Sequence, residues 1–146
     1  MTHAHPSDSP GFLLWRVTLA WQRAVTAVLR GHDLTHVQFA LLANVWWLSE
    51  QHGQPTQRQL AQHAGTDPMM TSQVVRTLAA KGLLTRLTDP ADSRARRVGL
   101  TEPGRAVLAR ALPEVEAIDA EFFAAVPRDE ALSVLSRLDP GLRHGR

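Results

Sequence analysis

The chain reads as mainly α with a small β-wing, and three observations predict that class. First, two short helical patterns between residues 56 and 82 are separated by a tight turn. Second, a strand–turn–strand pattern with arginines near its tip follows at once. Third, the flanking stretches repeat apolar residues at intervals of three and four, the spacing of amphipathic helices. Together these describe a winged helix-turn-helix domain flanked by helices from both ends of the chain.

Residues 1–10 are polar, carry two prolines and are expected to be a disordered tail. His3 and His5 within it make no convincing metal site. Residues 11–31 form a first long helix, with Leu14, Val17, Trp21, Ala24, Val25 and Val28 on one stripe. Phe12 and Trp15 begin a second stripe, more apolar surface than one buried face needs, so a partner subunit is expected. Residues 35–52 form a second helix, capped by Thr35 and stopped by Gly53-Gln54-Pro55. Trp46 and Trp47 within it lie about 100° apart, so one faces the core and the other a second surface. The Thr35 cap falls between His32 and His36 and separates them as metal ligands.

Thr56 is the N-cap of the third helix, with Leu60, Ala61 and Ala64 inward and Gly65 as its stop. Asp67-Pro68 reads as an N-cap followed by proline at the first helical position, so a fourth helix runs from there to Gly82. Its inner set is Met70, Thr71, Val74, Val75 and Leu78. Its outer set is Met69, Ser72, Gln73, Arg76 and Ala80, which includes the groups that read base edges in a major groove. Residues 83–88 and 96–100 are the strands of the wing, joined by Asp89-Pro90-Ala91-Asp92-Ser93. Residues 102–126 form a long helix that Pro113 is expected to kink or break. Residues 129–138 form a last short helix, ended by Asp139-Pro140-Gly141.

Charge and composition narrow the function. Net charge is only +2, but residues 55–101 hold seven basic and three acidic side chains, a net +4. The rest of the chain holds nine basic and eleven acidic ones, a net −2. A positive head is what phosphate binding requires. Cysteine is absent, which excludes disulfides, thiolate zinc sites and thiol-based oxidant sensing. There is no nucleophile elbow and no glycine-rich phosphate loop, so no enzyme and no cofactor is expected. No stretch has a membrane span's apolar length, and the first residues lack a signal peptide's apolar core, so a soluble cytoplasmic protein is expected.

The run from Thr56 to Thr101 resembles the MarR family of bacterial transcription regulators. The resemblance rests on Leu60-Ala61, Asp67-Pro68, Lys81-Gly82-Leu83-Leu84, Arg86, Asp89-Pro90, Asp92-Ser93-Arg94, and Leu100-Thr101 with Gly104. It extends more weakly over nearly the whole chain. It implies a homodimer in which residues 11–34 and 102–146 supply dimerisation helices around a DNA-binding domain at 35–101. It also implies a double-stranded DNA operator, a regulatory role as a repressor, and a small aromatic or phenolic effector.

Roles follow residue by residue. Ser72, Gln73 and Arg76 are the expected base readers, with Met69 beside them on the outer face. Thr56, Gln57 and Thr71 would grip phosphates near helix N-termini. Arg94 matches the family's wing-tip arginine and should enter a minor groove. Asp92 would hold the tip in shape by pairing with an arginine, and Arg86, Arg96 and Arg97 would face backbone phosphates. Trp15, Arg16, His36, Phe39, Trp46, Trp47 and Met70 are candidates to line an apolar effector cleft, against the alternative that the apolar ones are ordinary core. Two rival classes stand beside this reading: a winged helix that docks on another protein, and a metal-responsive sensor.

Overall fold

The computed structural model describes residues 5–143. Its elements are α1 (Pro10–Leu29), α2 (His36–His52), α3 (Gln57–Ala64), α4 (Pro68–Ala80), β1 (Leu84–Thr88), β2 (Arg96–Leu100), α5 (Glu102–Phe122), α6 (Arg128–Leu138) and the short α7 (Pro140–Arg143). Turns of 3-10 helix at Pro6–Asp8 and Arg30–His32 bracket α1. The mostly helical fold with a two-stranded antiparallel sheet is the winged helix the sequence predicts.

Side-chain caps fix where the helices start. Ser9 Oγ accepts the Phe12 N–H at 3.2 Å and Pro10 fills the first helical position, so α1 begins inside the stretch expected to be disordered. Residues 1–4 of that stretch, His3 included, lie outside the described residues. Thr35 and Thr56 each build a capping box with the glutamine three residues on, Gln38 and Gln59. Asp67 Oδ2 accepts the Met70 N–H at 2.9 Å and so sets the first turn of α4. Gly65, at φ 71°, ends α3 in the left-handed conformation that glycine adopts without steric cost.

The core lies between these elements. Leu41, Leu42 and Val45 of α2 are fully buried among Val25 and Leu29 of α1, Leu60 of α3, Val75 and Leu78 of α4, and Val98 of β2. Trp46 packs against this cluster, whereas Trp47 is half exposed. The wing pairs Leu84 with Leu100 through to Thr88 with Arg96. Its inner edge is tied to the head, because Val98 N–H donates to the Pro55 carbonyl at 2.9 Å and Thr56 bridges to Arg97.

Three expectations need correcting. Helix α5 runs unbroken through Pro113. The carbonyl that proline leaves without its helical donor belongs to exposed Ala109, where water can reach it. Val126, expected within that helix, lies beyond the end of α5 and is 42% exposed. Asp139-Pro140-Gly141 does stop α6, but Pro140 starts α7, and Asp139 Oδ1 accepts the Gly141 N–H at 2.9 Å. The apolar residues of the first half of α1, Phe12, Leu13, Leu14, Trp15 and Val17, are 40–64% exposed. Helix α6 buries nothing, and its Leu132, Leu135 and Leu138 are 45–57% exposed.

Candidate nucleic-acid interface

Buried Thr71, Val75 and Leu78 fix the rotation of α4, which turns Met69, Gln73 and Arg76 to solvent with half-buried Ser72 among them. Among the described residues none hydrogen-bonds the Ser72, Gln73 or Arg76 side chain, so this face is free to meet a partner. Beside it, the N-termini of α3 and α4 and the wing enclose a concavity of about 690 Å³. Thr56, Gln57, Arg58, Arg86, Arg94 and Arg96 line it, with Asp89 and Asp92 at the wing side.

The wing is held by Asp89, a residue the sequence reading left without a role. Its buried carboxylate accepts the Arg97 Nε–H at 3.2 Å through Oδ2 and the Ala91 N–H at 2.9 Å through Oδ1. Arg97 also donates from Nη1 to the Gln54 carbonyl at 2.7 Å. Arg97 therefore braces the hairpin against the α2–α3 connection instead of facing phosphates as expected. Asp92 does shape the tip, but by accepting the Arg94 backbone N–H at 3.0 Å; the pairing with an arginine belongs to Asp89. Arg94 itself projects at the tip, and among the described residues nothing engages its guanidinium. Arg96 lies between these extremes, donating from Nη1 to the Ser93 and Ala95 carbonyls at 3.2 and 3.4 Å. Asp89→Ala should cost about 1–2 kcal/mol, the worth of its charge-assisted bonds. Hydrogen exchange should show the lost protection confined to residues 89–97; unchanged protection there would contradict the bracing role.

Thr71 is the other correction. It is fully buried, donates its hydroxyl to the Asp67 carbonyl at 2.8 Å and lies 2.7 Å from Thr66 Oγ1, so it supports the turn and cannot reach a phosphate. Thr56 and Gln57 keep capacity for one. Thr56 Oγ1 accepts the Gln59 N–H at 3.1 Å and retains its own hydrogen to donate. Gln57 Oε1 accepts Arg86 Nε–H at 2.8 Å, which leaves the Gln57 amide donors free and orients the guanidinium.

The seven candidate effector residues do not converge on one described cavity. Phe39 is core, 7% exposed, and offers no ligand surface. Trp15 is 64% exposed, and Arg16 stacks over Phe12 at 5.9 Å near the start of α1. Trp47 is 48% and Met70 38% exposed, on α2 and α4. His36 alone sits in a seam between helices: its ring packs against Trp21 edge to face, with centroids 4.9 Å apart, and Trp21 Nε1–H donates to Asp119 at 2.8 Å. One turn away, His32 Nε2 lies 2.7 Å from Glu114, and Lys81 at the end of α4 donates to the Asp33 carbonyl. The His36–Trp21 and Lys81–Asp33 contacts join head to flanking segments, whereas Trp21–Asp119 and His32–Glu114 tie the flanking segments to each other, and no sequence spacing announces them. Among the described residues no group of three or more His, Asp or Glu side chains could hold a metal, and no helix is long and apolar enough to cross a membrane.

Burial lowers the His36 pKa from its ordinary 6.5. The unfolded chain therefore takes up a proton near pH 6.5 that the folded chain resists, so this contribution to stability is whole above that pH and falls below it. The urea midpoint should drop between pH 7.5 and 5.5, and His36→Gln should shrink that drop. An identical pH dependence in the variant would exclude His36 as its source.

Comparison with known proteins agrees with this geometry. Residues 34–95 match the MarR family model. The chain is 45% identical over 139 residues to the uncharacterized HTH-type transcriptional regulator YdcH of Bacillus subtilis, covering 95% of this chain and 93% of that one. It is 34% identical over 118 residues to the HTH-type transcriptional repressor Mb2911 of Mycobacterium bovis, covering 80% and 82%. Among solved structures it superposes on CouR of Rhodococcus jostii bound to p-coumaroyl-CoA (TM-score 0.80, 29% identity, 93% of each chain). It also superposes on BpsR of Bordetella bronchiseptica, whose DNA binding is regulated by 6-hydroxynicotinic acid (TM-score 0.81, 26% identity, 94% and 95%). The exposed outward face of α4, the basic concavity beside it and these likenesses have one conclusion: the chain belongs to the MarR family of DNA-binding transcription regulators.

Proposed function

We propose that the protein is a repressor that binds a specific double-stranded DNA operator as a homodimer and is released by a small aromatic effector. The outward face of α4 carries the DNA-reading part: Ser72, Gln73 and Arg76 are presented side by side with no partner among the described residues, next to Arg94 at the wing tip. Gln73 suits adenine and Arg76 guanine in a major groove. The uncovered apolar side chains of α1 and α6 support dimerisation, since a patch of that kind is costly in water unless a second surface covers it. A two-fold pair of reading helices must meet grooves about 34–36 Å apart. Any ligand that binds one spacing better than another shifts affinity for DNA.

Mb2911 is named a repressor, which supports that sign of regulation. The ligands of CouR and BpsR support an aromatic effector. The seam of His36, Trp21 and Asp119, where α1, α2 and α5 meet, is where such a ligand would act on both head and flanking helices.

The test is selection of duplexes from a random-sequence pool, followed by affinity measurements across a salt series and light scattering of the free protein. One enriched sequence, a steep salt slope and a dimer mass are the expected results. Equal affinity for all duplexes, or a monomer in solution, would overturn the corresponding part. The effector part expects salicylate-like anions to quench tryptophan fluorescence saturably and to weaken the complex; no effect at millimolar concentration would reject that ligand class.

A further inference from the structure

Met69 is the most exposed large apolar side chain among the described residues, at 82%. It occupies the second position of α4, after Pro68, in a turn that Asp67 fixes by capping the Met70 N–H. Its face-mates Ser72, Gln73 and Arg76 are all polar. A thioether has no N–H or O–H to offer a base edge, and its sulfur is only a weak acceptor, so an apolar neighbour is what would favour its burial. The major groove presents one apolar group, the 5-methyl of thymine. A reading helix also meets base edges with its N-terminal residues, which is where Met69 stands. The rest of the chain offers no cover, because capping and the buried Thr71 and Val75 hold that turn's orientation.

We propose that Met69 is a specificity-determining residue that packs its side chain on a thymine 5-methyl group in each half of the operator. This rests on the DNA-reading function proposed above and adds the base, and the atom on it, that the helix start selects. The contact is insensitive to hydrogen-bond pattern, so it separates thymine from uracil, which differ only in that methyl.

The test uses the full-length protein and the duplex it enriches from a random pool. Each thymine is replaced in turn by deoxyuridine, which removes the methyl and leaves the base-pairing edge intact. The wild type should lose about fourfold in affinity at one symmetry-related position per half-site, the worth of burying one methyl group. Met69→Ala, which removes the contact from both half-sites of the dimer, should bind the thymine duplex about sixteenfold more weakly and show no loss on deoxyuridine substitution at that position. Met69→Leu should keep the discrimination, and both variants should keep the wild-type melting temperature because the side chain buries nothing. An enriched duplex at which Met69→Ala retains the wild-type deoxyuridine profile, or at which no thymine responds, overturns the assignment of Met69 alone. Failure to enrich any sequence would instead overturn the DNA-reading function, and this inference with it.

Discussion

Gly104→Ala is expected to destabilise the fold by about 3 kcal/mol, at the upper end of overpacking costs. Gly104 is the third residue of α5, and its N–H donates to the Thr101 N-cap oxygen at 3.0 Å. A methyl there would be driven into the carbonyl oxygen and carbon of Leu83. That carbonyl cannot retreat cheaply. Leu83 N–H donates to the Leu78 carbonyl at 2.9 Å, and Leu83 O accepts the Thr101 N–H at 3.2 Å, so the end of α4, the start of the wing and the start of α5 are laced at one point. Thr101 Oγ1 adds a bond to the Gly82 carbonyl at 2.6 Å. To make room, α5 must lift off the hairpin, which opens the core around Leu84 and Val107. The melting temperature should fall by about 10 °C for a chain of this size. Gly31→Ala is the control: a methyl at Gly31 meets nothing within 4 Å, so stability should change by less than about 1 kcal/mol. Equal melting temperatures for the two variants would show that the Leu83 contact yields.

That junction marks how far the sequence could be read. Three helix starts were legible because their chemistry is local: Thr35, Thr56 and Asp67 each accept the N–H three residues on, and proline follows Asp67 directly. Thr71, Val75 and Leu78 of the inward stripe of α4 were legible from its period, whereas Met70, placed inward with them, is 38% exposed; the division of Trp46 and Trp47 between core and surface was legible too. What spacing could not reveal was which polar side chains the fold consumes. Thr71 looks like a helix-start hydroxyl and is spent on Asp67 and Thr66. Arg97 looks like its neighbours on the wing, yet Asp89 eight residues back and Gln54 forty-three back claim its guanidinium. The wing's Asp89-Pro90 was visible as a motif, but its brace exists only once the strands pair. Pro113 does not break α5, because a proline is tolerated where the carbonyl it frees is solvated.

The structure thus divides the arginines by availability, and Arg94 and Arg76 are expected to fail in different ways. Arg94 stands at a hairpin tip whose shape Asp92 and Asp89 set, with nothing among the described residues holding its guanidinium. In the proposed complex it would reach backbone or a narrow minor groove, where negative potential rather than base identity attracts arginine. Arg94→Ala should weaken binding to operator and scrambled duplex by similar factors, and flatten the salt dependence by about one phosphate contact per subunit, a slope change of about 1.8 for a bound dimer. Arg76 lies on the outward face of α4 between Gln73 and Ala80, where a guanidinium can pair with guanine through two bonds. Arg76→Ala should cost about 1–3 kcal/mol at each half-site and relax preference at one base pair, with scrambled duplex much less affected. In a dimer both half-sites lose the contact, so Arg76→Ala should be the more damaging substitution on the operator and the milder one on scrambled DNA. Neither side chain is buried, and both variants should keep the wild-type melting temperature. Affinities for the two duplexes across a salt series separate the roles. If Arg94→Ala lost operator binding while its scrambled binding and salt slope held, the wing would be reading bases, and the division of labour argued from its geometry would be wrong.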